Sequence, residues 1–170
     1  MATVAIGRRS GVVARTTTDR ALLRSYLEED RLFSAYAICD LEEREFARTR
    51  WGMAWEGDQP IALVLEYNGP TPQPLFIAGR PDGIGVILRD LIRPRVAYIA
   101  ARPEAIPAIG AYYRVDPGVA MVRMWVDRAR FRPADDPGIE RLDSSDAPEL
   151  NRLYQLGFGA WLPPQSIGEG

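Results

Sequence analysis

Leu75-Phe-Ile-Ala78-Gly79-Arg80-Pro81-Asp82-Gly83-Ile84-Gly85 joins a run of apolar residues to a glycine-spaced turn. The turn opens onto Gly83 to Ile92, where Ile84, Ile87, Leu88 and Leu91 recur at helical spacing and Pro94 follows. The first part reads as a short buried strand and the last as an amphipathic helix that Pro94 ends. Strand, loop and helix in this order are the repeating unit of sheets flanked by helices. The loop also has the local chemistry of an anion site, because glycines let backbone N–H groups at the positive end of a helix dipole come close to a phosphate. A simple turn and helix cap has the same composition.

Upstream, Arg50 to Glu56, a Gly57-Asp58 turn and Ile61-Ala-Leu-Val-Leu-Glu-Tyr67 predict a hairpin, followed by the proline-rich connection Asn68 to Pro74. Before it, Thr17 or Thr18 is placed to cap a helix with Asp19 in its first turn and Leu22, Leu23, Tyr26 and Leu27 as its stripe. A second helical run, Leu32 to Phe46, sets Leu32, Phe33, Tyr36, Ala37 and Leu41 on one side and leaves Glu42 to Glu45 as a solvated face. Downstream, Val96 to Ala100 reads as strand, Pro103 to Tyr113 as helix and Val119 to Val126 as a long strand. From residue 12 the order is strand, two helices, three strands, helix, strand, helix, strand.

Composition removes several chemistries. The chain has 170 residues, a net charge of −2, no His and one Cys, and all 21 of its basic residues are Arg. Without imidazole there is no Ser-His-Asp or Cys-His site of the usual kind. Without lysine there is no Schiff base and no Walker phosphate lysine. Cys39 alone forms neither an internal disulfide nor a cysteine metal cluster, and reads as a small buried hydrophobe; no metal is expected. The charge balance and the lack of a long basic run argue against nucleic acid as a partner. No apolar stretch reaches membrane-spanning length, so neither a membrane nor a secretory route is expected and the reading is cytoplasmic. Trp51, Trp55 and Trp125 read as core or sheet-face residues rather than a substrate cage.

Arg80-x-x-Gly83-x-Gly85 resembles the Arg/Gln-x-x-Gly-x-Gly/Ala loop of the GNAT acetyltransferase superfamily, and the order of elements over roughly residues 12–132 is similar as well. The resemblance implies an α/β (α+β) fold with a mixed, mainly antiparallel central sheet flanked by helices. It implies acetyl-CoA as cofactor, its pyrophosphate at Arg80, Asp82, Gly83, Ile84 and Gly85, and an amine as acceptor, with a small-molecule amine and a protein amine both open. It further implies a tyrosine, Tyr112 or Tyr113 in Ala111-Tyr-Tyr-Arg114, as the acid that protonates the departing thiolate. Glu66, near a strand end, is the candidate base, with an exposed strand carboxylate as the other reading. Two residues depart from a phosphate cradle: Pro81 has no N–H, and Asp82 puts negative charge where the phosphate would lie.

The tail adds a second feature. Residues 133–138 have linker composition, Ile139-Glu-Arg-Leu142 reads as a strand, and Asp143-Ser-Ser-Asp-Ala-Pro-Glu-Leu150 opens a helix with Pro148 and Glu149 in its first turn. Residues 139–170 therefore resemble the incomplete start of a second GNAT-like lobe, with 1–132 as the first. Phe158, Trp161 and Leu162 call for a cover from the first lobe, a homodimer contact or a further carboxy-terminal lobe. Two functions are expected: an acetyl-CoA-dependent N-acetyltransferase of which this chain is mostly the amino-terminal lobe, or a non-catalytic structural or ligand-sensing lobe with a vestigial loop.

Overall fold

A computed structural model describes residues 11–69, 72–116, 122–133 and 137–157. The chain divides into two compact units between Trp125 and Val126.

In the first unit, β1 (Val12–Thr16), β2 (Thr49–Glu56), β3 (Gln59–Tyr67), β4 (Gln73–Gly79) and β5 (Ala97–Ala101) form one sheet in sequence order. The first three pairings are antiparallel and β4–β5 is parallel. The fold is thus a mixed, mostly antiparallel sheet flanked by helices. The β2–β3 turn carries Gly57 at φ 62°, a backbone region that favours glycine.

Helices α1 (Arg20–Glu28), α2 (Arg31–Cys39) and α3 (Glu43–Phe46) precede the hairpin, while α4 (Pro81–Asp90) and α5 (Ile106–Gly110) follow β4 and β5. Leu23, Leu27, Ala37, Leu41, Trp51 and Leu63 close one core layer. Ala62, Val64, Ile77, Ile84, Ile87 and Leu88 close the other, under α4. Both faces of β3 are covered, which is why Ile61 to Leu65 is apolar without interruption.

Several boundaries differ from the sequence expectation. Asp19, not Thr17 or Thr18, caps α1: its carboxylate accepts from the Ala21 and Leu22 N–H groups, both at 3.0 Å. The expected single helix from Leu32 to Phe46 is two, because the chain turns at Asp40 to bury Leu41 completely. The buried face of α2 is Ser34, Ala37 and Ile38, which leaves Tyr36 75% exposed and puts Cys39 in solvent. Pro107, without an N–H, holds the Pro103–Tyr113 segment to a 3-10 turn (Pro103–Ala105) and the short α5. Trp51 and Trp55 are buried as expected, whereas Trp125 is exposed. The described part of the expected Val119–Val126 strand, residues 122–126, has no strand structure; residues 117–121 lie outside the described residues.

In the second unit, residues 139–142 form no strand, and Ile139 and Leu142 are exposed. A capping box between Asp143 and Asp146 closes a 3-10 turn (Ser144–Asp146) that leads into α6 (Ala147–Gly157). Phe158, Trp161 and Leu162 lie outside the described residues, as do residues 134–136 of the expected linker.

Gly83 sets the distance of α4 from the sheet. A Cβ there would sit 2.7 Å from the Ala62 Cβ and 3.2 Å from the Ala54 Cβ, whereas Gly85 faces open space. Gly83→Ala is expected to lower stability by about 1–2 kcal/mol through overpacking, and Gly85→Ala to raise it by up to about 1 kcal/mol through helix propensity. Urea unfolding of the two variants measures both signs.

Candidate functional site

The glycine-containing loop starts where Gly79, at φ 100°, turns the chain off β4 and the Arg80 N–H donates to the Ile61 carbonyl at 2.8 Å. Arg80 then occupies the N-cap of α4 without capping it by its side chain. Its guanidinium donates instead to Glu56 Oε2 at 2.6 Å and to both Asp82 oxygens, at 2.6 and 3.1 Å. These bonds hold the Asp82 carboxyl below its ordinary range, the Arg80 hydrogen bond contributing most and the Gly83 and Asp82 backbone N–H groups adding to it. A carboxylate of the chain itself therefore faces the first turn of α4.

The residues of this loop do not fit a pyrophosphate. Arg80 is already shared between two carboxylates, Pro81 has no donor, the Gly83 N–H faces Asp82, and Gly83 and Ile84 are buried against the sheet. Gly85 alone lies against open space. Asp82, in the first turn of α4, is a carboxylate paired with Arg80 that also accepts from the Gly83 N–H.

Tyr112 and Tyr113 lie in the turn after α5 rather than on a helix. The Tyr113 hydroxyl donates to the Pro94 carbonyl at 2.9 Å, and the Arg93 guanidinium stands 5.7 Å over the Tyr112 ring. Burial pushes the Tyr113 phenol up; Arg93 opposes this and the charge of Glu66 adds to it. Glu66 is not the exposed carboxylate of the alternative reading. It is 8% exposed, on the α4 side of β3 with Ala62 and Val64, and pairs with Arg50 at 3.9 Å. The fold thus gathers Tyr113 and Glu66 by the carboxyl end of α4. The Arg80–Gly85 loop is at the other end of that ten-residue helix, about 15 Å away.

Strands β4 and β5 pair without interruption from Gln73↔Ala97 to Ile77↔Ala101, which leaves no gap between them over those residues. Beyond Ile77 they separate, and a cleft of about 280 Å³ opens, lined among others by Tyr26, Asp30, Ser34, Gly79 and Arg102. Ligands of α/β sheets bind at such carboxyl ends of parallel strands. Arg102 bridges Asp30 and lies 4.7 Å over the Phe33 ring. The Tyr26 phenol is pushed up to about 12 by burial and then by Glu29, so at neutral pH it is a neutral hydroxyl. It lies so close to Gly79 that a Cβ there would be 2.4 Å from its oxygen. Apart from Gly79, this cleft has no signature in the sequence, since its residues come from α1, α2, β4 and the segment after β5 and share no local motif.

Among the described residues no group of three or more His, Cys, Asp or Glu is arranged to hold a metal, and no helix is long and apolar enough to cross a membrane. No protein-family model matches the chain, no curated protein matches it, and no solved structure matches it.

Two titratable positions support direct tests. Truncating Arg50 leaves the Glu66 carboxylate buried without its cation, so Arg50→Met is expected to cost about 1–3 kcal/mol. Arg50→Met/Glu66→Leu recovers most of that loss if the ion pair is its cause, as chemical denaturation will show. At the carboxyl end of α2, burial and then Glu45 push the Asp40 carboxyl up from 3.8 to about 6. A folded value above the unfolded one means that the stabilising contribution is complete below 3.8 and is lost as pH rises through about 6. Asp40→Asn is therefore expected to stabilise the fold at neutral pH, by about 1 kcal/mol after solvent screening, and to have no such effect at acidic pH. Thermal melts across pH give the comparison.

Proposed function

We propose that residues 11–125 act as a non-catalytic GNAT-like lobe, in which the Arg80–Gly85 loop is a structural cap and any ligand enters the cleft at the carboxyl ends of β4 and β5. The observation that carries this reading is the Glu56–Arg80–Asp82 ion-pair chain: it engages the loop's cation and turns a carboxylate towards the amino end of α4. In the tandem GNAT arrangement that the sequence resembles, acetyl transfer from acetyl-CoA to an amine belongs to a second lobe, and this lobe contributes scaffold and ligand sensing. We place the protein in the cytoplasm.

A second reading, an N-acetyltransferase working within this lobe on a small-molecule amine, is favoured by one observation: Tyr113 packs on the α4 layer, on the face of the sheet that carries Glu66, and the Glu66 carboxylate helps to push its phenol up. In that reading the phenol protonates the thiolate and the carboxylate accepts the amine proton.

Calorimetric titration of the chain with acetyl-CoA separates the two. The non-catalytic reading expects no saturable binding in the micromolar range and no change in the Arg80→Ala variant. Micromolar binding that Arg80→Ala weakens overturns it in favour of the second.

A further inference from the structure

The cleft beyond Ile77 holds three carboxylates, Glu29, Asp30 and Glu104, against one cation, Arg102, so its lining is net negative. Arg102 is committed to Asp30 and to the face of the Phe33 ring, 4.7 Å from its guanidinium. Glu29 and Glu104 pair with no cation among the described residues.

An acidic lining alone selects no ligand. The second observation is a buried polar group that opens into the same space. Ser34 is 3% exposed, and its hydroxyl makes no hydrogen bond among the described residues. Every fully enclosed side-chain nitrogen or oxygen among those residues does have a partner. The Ser34 hydroxyl therefore keeps its access through the cleft that Ser34 lines, and it awaits a partner there, because a buried hydroxyl left unpaired is destabilising. The Tyr26 hydroxyl, beside Gly79, is likewise without a hydrogen bond among the described residues.

This set of groups fits a guanidinium better than an ammonium. Two carboxylates and two hydroxyls are four separate acceptors; an ammonium has three N–H donors to offer them and a guanidinium five. Arg102 shows the same recognition within the chain, since Asp30 and Phe33 hold its guanidinium by a carboxylate and an aromatic face. A guanidinium also stays protonated at neutral pH and is then no nucleophile, in keeping with a lobe that binds without acyl transfer.

We propose that this cleft recognises a small organic guanidinium, which Glu29 and Glu104 neutralise and the Ser34 and Tyr26 hydroxyls orient, while Arg102 competes with it for Asp30 and the Phe33 ring. A volume of about 280 Å³, at the lower bound of small-molecule sites, suits a ligand of that size. The inference rests on the reading that a ligand enters at the carboxyl ends of β4 and β5.

Calorimetric titration of the whole chain with butylguanidinium and butylammonium, matched in length, tests the head group. Saturable millimolar binding of the first is expected, with the second weaker by about tenfold, the effect of one charge-assisted hydrogen bond. Ser34→Ala and Glu104→Gln are each expected to weaken butylguanidinium by about fivefold or more, with thermal melts unchanged. Arg102→Met is expected to tighten it, because Asp30 and the Phe33 ring become available. Absence of saturable butylguanidinium binding overturns the proposal, as do equal affinities for the two head groups. A weaker complex in a folded Arg102→Met variant overturns it in favour of an anion. A blocked arginine peptide that binds more tightly than butylguanidinium overturns the small ligand in favour of an arginine side chain of a protein. Acetyl-CoA titrated in parallel keeps the two readings apart: its micromolar binding defeats the non-catalytic reading, whereas failure of both titrants leaves that reading standing and removes this inference alone.

Discussion

Helix α4 lies so near the sheet at Gly83 that an added methyl group would come within 2.7 Å of the Ala62 side chain. That approach requires small residues on three elements at once, Gly83 on α4, Ala54 on β2 and Ala62 on β3. It lets Ile84, Ile87 and Leu88 reach full burial. The rest of the α4 layer is arranged around this contact. It fixes where the helix begins, and so how the β4–α4 loop is directed, and it places the other end of the helix beside Arg93, Pro94 and the Tyr112–Tyr113 turn.

The same contact explains why a motif with the letters of an anion loop carries different chemistry. In a phosphate loop glycine admits the ligand; in this one Gly83 admits the sheet. With the glycine facing inward, the amino end of α4 is left for the side chains around it, where Arg80 is shared between Asp82 and Glu56. Ionic pairing at an exposed helix end contributes little stability by itself. Its consequence is occupancy of the helix dipole and of the loop's one guanidinium.

Polar residues elsewhere follow the topology rather than their sequence neighbours. Glu66 has the alternation of a strand residue, but β2 brings Arg50 opposite it, the cation that a buried carboxylate requires. The cleft at Tyr26, Asp30, Ser34 and Arg102 arises where β4 and β5 stop pairing, a place defined only by the parallel register.

The sequence by itself determined the order of the strands through β5, the hairpin at Gly57 and the apolar stripe of α4, but not the break at Asp40 that makes three helices of two before the hairpin. These depend on periodicity, turn chemistry and caps that act within a few residues. It did not determine which glycine faces a ligand and which faces the sheet, that Cys39 and Trp125 are exposed, that Pro107 shortens the helix before Tyr112, or that residues 122–126 stay out of the ladder. The first, second and last of these depend on distances between elements far apart in the chain. The third was legible from Pro107 but was outweighed by the helical spacing around it. Tertiary structure decided the site because a side chain's chemistry depends on which partner reaches it first, and for Arg80 and Gly83 the partners come from the chain's own β2, β3 and α4.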